Sequence, residues 1–185
     1  MKKERFDAIT DAVLAIIATL MVLEIKVPQL SSGTVLSFLT QIGIYAISFA
    51  LICILWLNHH HIFNNTERVD TTTVWFNFIL LFIMSLFPLA TRLISESFYN
   101  SKTHIFYGAV LAAATILYTI LQDRVNKLSG TARHNKMHLI NSLAMLICLL
   151  SIPLSLVSVY LSGAIFLLIP ALYFVVSARP NKLPN

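Results

Sequence analysis

Charged side chains are scarce in this sequence: 11% of its 185 residues, against 57% hydrophobic, where a soluble domain carries about 25%. So few charges cannot coat a water-facing surface, and lipid must be part of the solvent. Cysteine is almost absent. Cys53 and Cys148 both fall inside apolar stretches, where they read as small core residues, and no disulfide is expected. No Thr-Val-Gly-Tyr-Gly loop occurs, which excludes a carbonyl-lined potassium filter. Walker motif, dinucleotide fingerprint and zinc-protease helix are missing too. Ser85, Ser151 and Ser155 have no base placed to activate them. Nothing here argues for an enzyme, and no cofactor or bound metal is expected. No long soluble domain, low-complexity tract or internal repeat is apparent, so residues 1–185 read as a single transmembrane domain.

What is present is apolar sequence in span-sized blocks. A span needs about 20 mostly apolar residues. Six segments qualify, at roughly 6–27, 35–60, 73–94, 103–123, 137–158 and 160–178, which predicts an all-α, multi-pass membrane protein. Pro28 and Ser31-Ser32-Gly33 end the first helix. Asn64–Asp70, Ser95–Lys102 and Asn126–Lys136 are polar links. Leu139–Val176 is almost continuously apolar and too long for one span, and Tyr160–Gly163 is where a hairpin turn is expected within it. The start, Met1-Lys2-Lys3-Glu4-Arg5, superficially fits a signal peptide. Asp7 and Asp11 interrupt the apolar run, however, and no small-residue cleavage site follows, which predicts a retained first helix.

The basic excess, thirteen Lys and Arg against eight acids for a net +5, sits at helix ends. Membrane orientation accounts for it better than a nucleic-acid partner, and none is expected. One side carries Lys2, Lys3, Arg5, Arg68, Arg124, Lys127, Arg133, Lys136, Arg179 and Lys182; the other carries Lys26, Arg92 and Lys102. Ten against three predicts that both termini are cytoplasmic.

The first helix stands apart. Asp7 and Asp11 are four residues apart and share a face. Asp11 lies more than a turn inside the span, where an acid costs up to about 2.5–3.5 kcal/mol at the helix centre and normally has a protein or water partner. Solvation by lipid headgroups is the alternative. The second helix ends Trp56-Leu57-Asn58-His59-His60-His61-Ile62-Phe63. Three adjacent histidines suggest a metal, but consecutive helical residues point about 100° apart and cannot converge on one ion. The reading preferred is that one or two of them pack inward and hydrogen-bond Asp11 or Thr10, with Trp56 and the outermost histidine as interfacial anchors. Along the first helix, Ile16, Leu20 and Leu23 form an apolar stripe nearly opposite the two acids, with Thr19 beside it. Helix packing is the default for such a stripe; a hydrophobic constriction that gates a pore by dewetting is the other reading.

At these residues the chain resembles the short prokaryotic members of the lysosomal potassium channel family, transmembrane protein 175. Their first helix carries an Arg-x-x-x-Phe-Ser-Asp motif. Arg5 and Asp11 match it by spacing, Thr10 stands for the Ser and keeps the hydroxyl, and Ile9 stands for the Phe without its ring. Ala15-Ile16 and the run from Thr19 to Pro28 fit as well. Trp56, His59, His60 and Phe63 match a Trp-x-x-His-His-x-x-Phe ending of the second helix. Asn77, Ser85-Leu86-Phe87-Pro88 and Thr91 are similar to the third. The last three helices match only as apolar spans.

The resemblance implies a homotetramer with the first helix of each subunit lining a central pore. It implies a constriction at Ile16, Leu20 and Leu23 with Thr19 adjacent, and a hydrogen-bond network of Arg5, Thr10, Asp11, Trp56, His59 and His60. The expected activity is a potassium-preferring cation leak in the cell membrane. Potassium and other monovalent cations would be permeant species only, and lipid and further copies of the chain the only partners. Two other activities stay open: a proton pathway or small transporter using Asp11 and a histidine of the second helix, and a membrane scaffold that transports nothing.

Overall fold

The structure is a computed structural model that describes residues 3–26, 35–64, 66, 69–130 and 136–177. The Pro28–Gly33 turn, Lys2, Arg68, Arg133, Arg179, Lys182 and residue 178 of the last expected span lie outside the described residues, as does the side chain of Lys136. All regular structure among the described residues is helical: α1 (Lys3–Leu23), α2 (Val35–Asn64), α3 (Thr71–Met84), α4 (Phe87–Glu96), α5 (Ser101–Leu128), α6 (Lys136–Val157) and α7 (Val159–Ser177). Five segments among the described residues are long and apolar enough to cross a membrane: α1, α2, Thr71–Glu96, α5 and His138–Val157. A sixth helix, apolar over the shorter stretch Val159–Phe174, completes the expected bundle.

The third span is broken. Pro88 has no N–H for the carbonyl four residues back, and its ring opposes a continuous helix. The chain tightens instead: the Leu86 N–H bonds the Ile83 carbonyl at 3.1 Å, the Ser85 hydroxyl donates to the Phe82 carbonyl at 2.7 Å, and α4 restarts with Pro88 in its first turn. The other correction concerns the last turn. The chain reverses at Ser158, and Tyr160–Gly163 lies inside α7. Ser162 needs no water-exposed loop, because its hydroxyl hydrogen-bonds His104 Nδ1 on α5 at 2.5 Å.

α5 is the central element, packed on α2, α3, α4, α6 and α7. With little hydrophobic drive between helices in lipid, close approach through small residues supplies the packing. Gly108 is one such place: a Cβ there would meet Ser151 Oγ at 2.7 Å and Ile152 Cγ1 at 3.3 Å. Gly130, with φ 63°, follows the α5 C-cap Ser129 in the left-handed conformation that stops the helix. At the same end Asp70 caps α3 by accepting the Thr73 N–H at 3.0 Å. The Arg124 guanidinium from α5 and the Thr73 hydroxyl and N–H all bond its carboxylate, holding it down to about 2. These contacts tie the start of α3 to the end of α5. α1 lies against α2, α3 and α4.

Candidate functional site

α1 buries one face and leaves the other free. Phe6, Thr10, Leu14, Ile17 and Met21 recur every three or four residues and are buried within the subunit. Ile16, Leu20 and Leu23 are 57%, 45% and 75% exposed, whereas Ile17 between them is 3% exposed. Thr19 is also exposed, but its hydroxyl donates to the Ile16 carbonyl at 2.9 Å. The free face is thus hydrocarbon, with its one hydroxyl turned back on the helix. Ile9, which stands where the motif has Phe, is 40% exposed and lies on this free side. The aromatic packing below it comes from Phe6, whose ring sits 4.7 Å from Phe63 and 6.0 Å from His59.

Three buried side chains hold the Lys3 half of α1 to α2 and α3. The Thr10 hydroxyl donates to the Phe6 carbonyl at 3.1 Å, so its oxygen can only accept from Asn77 Nδ2, at 2.9 Å. That fixes the orientation of the Asn77 amide. Its oxygen accepts, and His59 Nε2, 2.8 Å away, must carry the proton. Thr10, Asn77 and His59 are 1%, 0% and 5% exposed, so every group in the chain depends on its partner.

The expected direct bond from a histidine to Asp11 or Thr10 does not form. Trp56 Nε1 donates to Asp11 Oδ1 at 2.7 Å, and Asp11 itself is exposed. Of the three histidines only His59 packs inward. His60 is exposed and stacks on Trp56 at 6.1 Å, and His61 is exposed. The inward histidine reaches Thr10 through Asn77, a residue flagged beforehand only by the family resemblance. Arg5 is exposed and makes no hydrogen bond among the described residues. The structure thus joins Thr10 to His59 through Asn77 and, separately, Asp11 to Trp56, and leaves Arg5 and His60 outside both sets. No group of His, Cys, Asp and Glu with metal-binding geometry occurs among the described residues.

Sequence reasoning missed the other end of α1. Glu24 accepts from Arg92 at 3.3 Å, and Glu96 accepts from both Arg92 and Lys26 at 3.0 Å. The Lys26 N–H also bonds Gln41 Oε1 of α2 at 3.1 Å. The available signal was charge pairing: Arg92 and Glu96 are four apart on one helix face, at the end where Glu24 and Lys26 emerge. This cluster sits beside Leu23, the last residue of the exposed stripe.

The profile of the family described as endosomal/lysosomal potassium channel TMEM175 matches residues 5–88, which covers α1 to the start of α4. A potassium channel of Chryseobacterium sp. (strain P1-3) is 41% identical over 131 residues, 70% of this chain and 68% of that protein. The endosomal/lysosomal proton channel TMEM175 of Rattus norvegicus is 34% identical over 103 residues, 49% of this chain and only 21% of the rat protein. The crystal structure of a lysosomal potassium-selective channel TMEM175 homolog from Chamaesiphon minutus shares the fold with a TM-score of 0.77 at 27% identity, over 96% of this chain and 98% of that one. A shared fold along nearly the whole chain, and 41% identity to a bacterial potassium channel along 68% of its length, make this chain a member of the TMEM175 family, a family of ion channels and not of enzymes.

Proposed function

We propose that the chain forms a potassium-preferring cation leak channel, a homotetramer in the cell membrane with one α1 from each subunit around a central pore. One observation carries this reading: α1 packs on its own subunit through the Phe6–Met21 face and leaves Ile16, Leu20 and Leu23 free in a single stripe. One such helix cannot enclose a path, so assembly is required. A ring of these side chains excludes water unless wide, and an ion crossing it loses hydration. Potassium is more cheaply dehydrated than sodium, which gives a modest preference without carbonyl ligands. The names of the bacterial relatives support the same activity.

Reconstitution of purified protein into liposomes tests it. Potassium efflux exceeding sodium efflux is expected; liposomes that leak neither ion would leave a scaffold as the function. The name of the rat relative favours a proton pathway as the second reading. In this chain Asp11 is held by Trp56 and His59 by Asn77, so the two do not form a direct relay. Proton flux abolished by Asp11→Asn with potassium flux intact would favour the second reading.

The orientation proposed has both termini in the cytoplasm, from ten basic residues against three. Reporter fusions after Asn185 and within 126–136 are expected to read cytoplasmic. An external signal from either overturns the assignment.

A further inference from the structure

A crevice of about 1120 Å³ opens at the face of the bundle away from α1's start, between the first turns of α2, the α4–α5 link and the end of α6. Nothing in the proposed pore uses it. Its lining is of two kinds. Ser97, Asn100 and Lys102 supply a polar side, while Leu36, Ile105 and Leu156 supply an apolar wall. Leu36 and Leu156 are 75% and 71% exposed, so the apolar wall is open at the surface of the chain. Phe98, Tyr99 and Tyr160 cluster beside it, with ring centroids 5.6–6.4 Å apart. Such rings gather where headgroups meet hydrocarbon, which puts the crevice at that level.

The charge presented to an occupant is positive. Glu96 lines the crevice, but its carboxylate is occupied by Lys26 and Arg92. Lys102 pairs with no acid among the described residues and is exposed. A water-soluble anion would leave the leucine and isoleucine wall unused, and a zwitterionic lipid would bring a cation of its own beside Lys102. We infer that the crevice is a binding site for an anionic phospholipid of this leaflet, its phosphate at Lys102 and its acyl chain along Leu36, Ile105 and Leu156. The headgroup then lies next to Glu96 and the ion pairs that hold the Leu23 end of α1.

Native mass spectrometry of the assembled protein, after exchange from vesicles of phosphatidylglycerol or phosphatidylcholine, reads this directly. Wild type is expected to retain phosphatidylglycerol in preference to phosphatidylcholine. Lys102→Glu removes that preference, by at least about fivefold for one basic residue at an anionic headgroup. Lys127→Glu, at the opposite end of α5, leaves it unchanged. Ile105→Trp fills the crevice and reduces retention of both lipids while the assembly persists. Equal phosphatidylglycerol retention by wild type and Lys102→Glu overturns the site. So does an Ile105→Trp protein that loses its assembly state, which would place a second copy of the chain in the crevice. A protein that retains the lipid as inferred yet conducts no ions leaves the site standing and removes only the channel reading.

Discussion

Replacing Leu23 or Ile16 by asparagine is expected to raise cation flux about tenfold or more and to weaken the discrimination of potassium from sodium. A polar group in an apolar ring holds water where hydrocarbon had excluded it, and each 1.4 kcal/mol or so taken off a barrier multiplies a rate about tenfold. The same substitutions in a stripe that merely packs against lipid or another helix give the opposite phenotype. The amide then has no water and no partner, costs about 1–3 kcal/mol, and yields a poorly assembled protein. Cysteines at 16, 20 and 23 give a second readout in conducting protein. Water-soluble thiol reagents are expected to modify them and block flux, whereas cysteine at Ile17, which is 3% exposed, or at the half-buried Val13 stays unreactive. Unreactive cysteines at all three stripe positions would sink the pore assignment.

Asn77→Leu and His59→Ala are expected to abolish the assembled protein on native gels. Asn77 is the sole link between Thr10 on α1 and His59 on α2, and its loss strands the buried His59 N–H and leaves the Thr10 hydroxyl bonded only to its own helix. An unsatisfied buried group costs about 1–3 kcal/mol. Polar pairs inside membrane bundles average nearer 0.6 kcal/mol, so the double loss sits between these scales. Asp11→Ala removes one bond from Trp56 at an exposed carboxylate and is expected to do less. His60→Ala, on the exposed side of α2, is expected to assemble normally. Assembly that survives both Asn77→Leu and His59→Ala, with unchanged thermal stability, would show that this chain of bonds does not hold α1 in place.

Periodicity and length reveal the spans well because lipid imposes both: each apolar block must be about 20 residues long, and polar links must interrupt them. Finer choices are less visible. α2 is apolar around nearly its whole circumference, so nothing in its pattern fixes which of His59, His60 and His61 turns inward. That choice is made by Phe6 and Asn77, which stand on other helices. The break at Ser85–Leu86 was hidden for a different reason. Pro88 is tolerated inside a span, and its effect on the two residues before it depends on how α4 packs. Ser162 and Gly163 resembled a turn because polarity in an apolar run suggests water, yet His104 supplies the partner from within the protein. The stripe on α1 was legible as a stripe. Its exposure depended on which face α2, α3 and α4 cover, and only the three-dimensional packing shows that.

The two ends of α1 are held by forces of different kinds. Near Lys3 the hold is mostly dry: stacked rings and a chain of buried hydrogen bonds, with the exposed Trp56–Asp11 bond beside them. Near Leu23 it is wet, built from Arg92, Lys26, Glu24 and Glu96, whose side chains are 31–63% exposed. Exposed pairs contribute little individually, and ions in solution screen them over about 8 Å at physiological strength. Mobility is therefore expected to rise along the helix, with ionic strength acting chiefly on the Leu23 end. The Leu23 end is where α1 is expected to loosen first, so in the proposed channel the width of the pore there should respond to the salt of the medium more than it does at the Thr10 end.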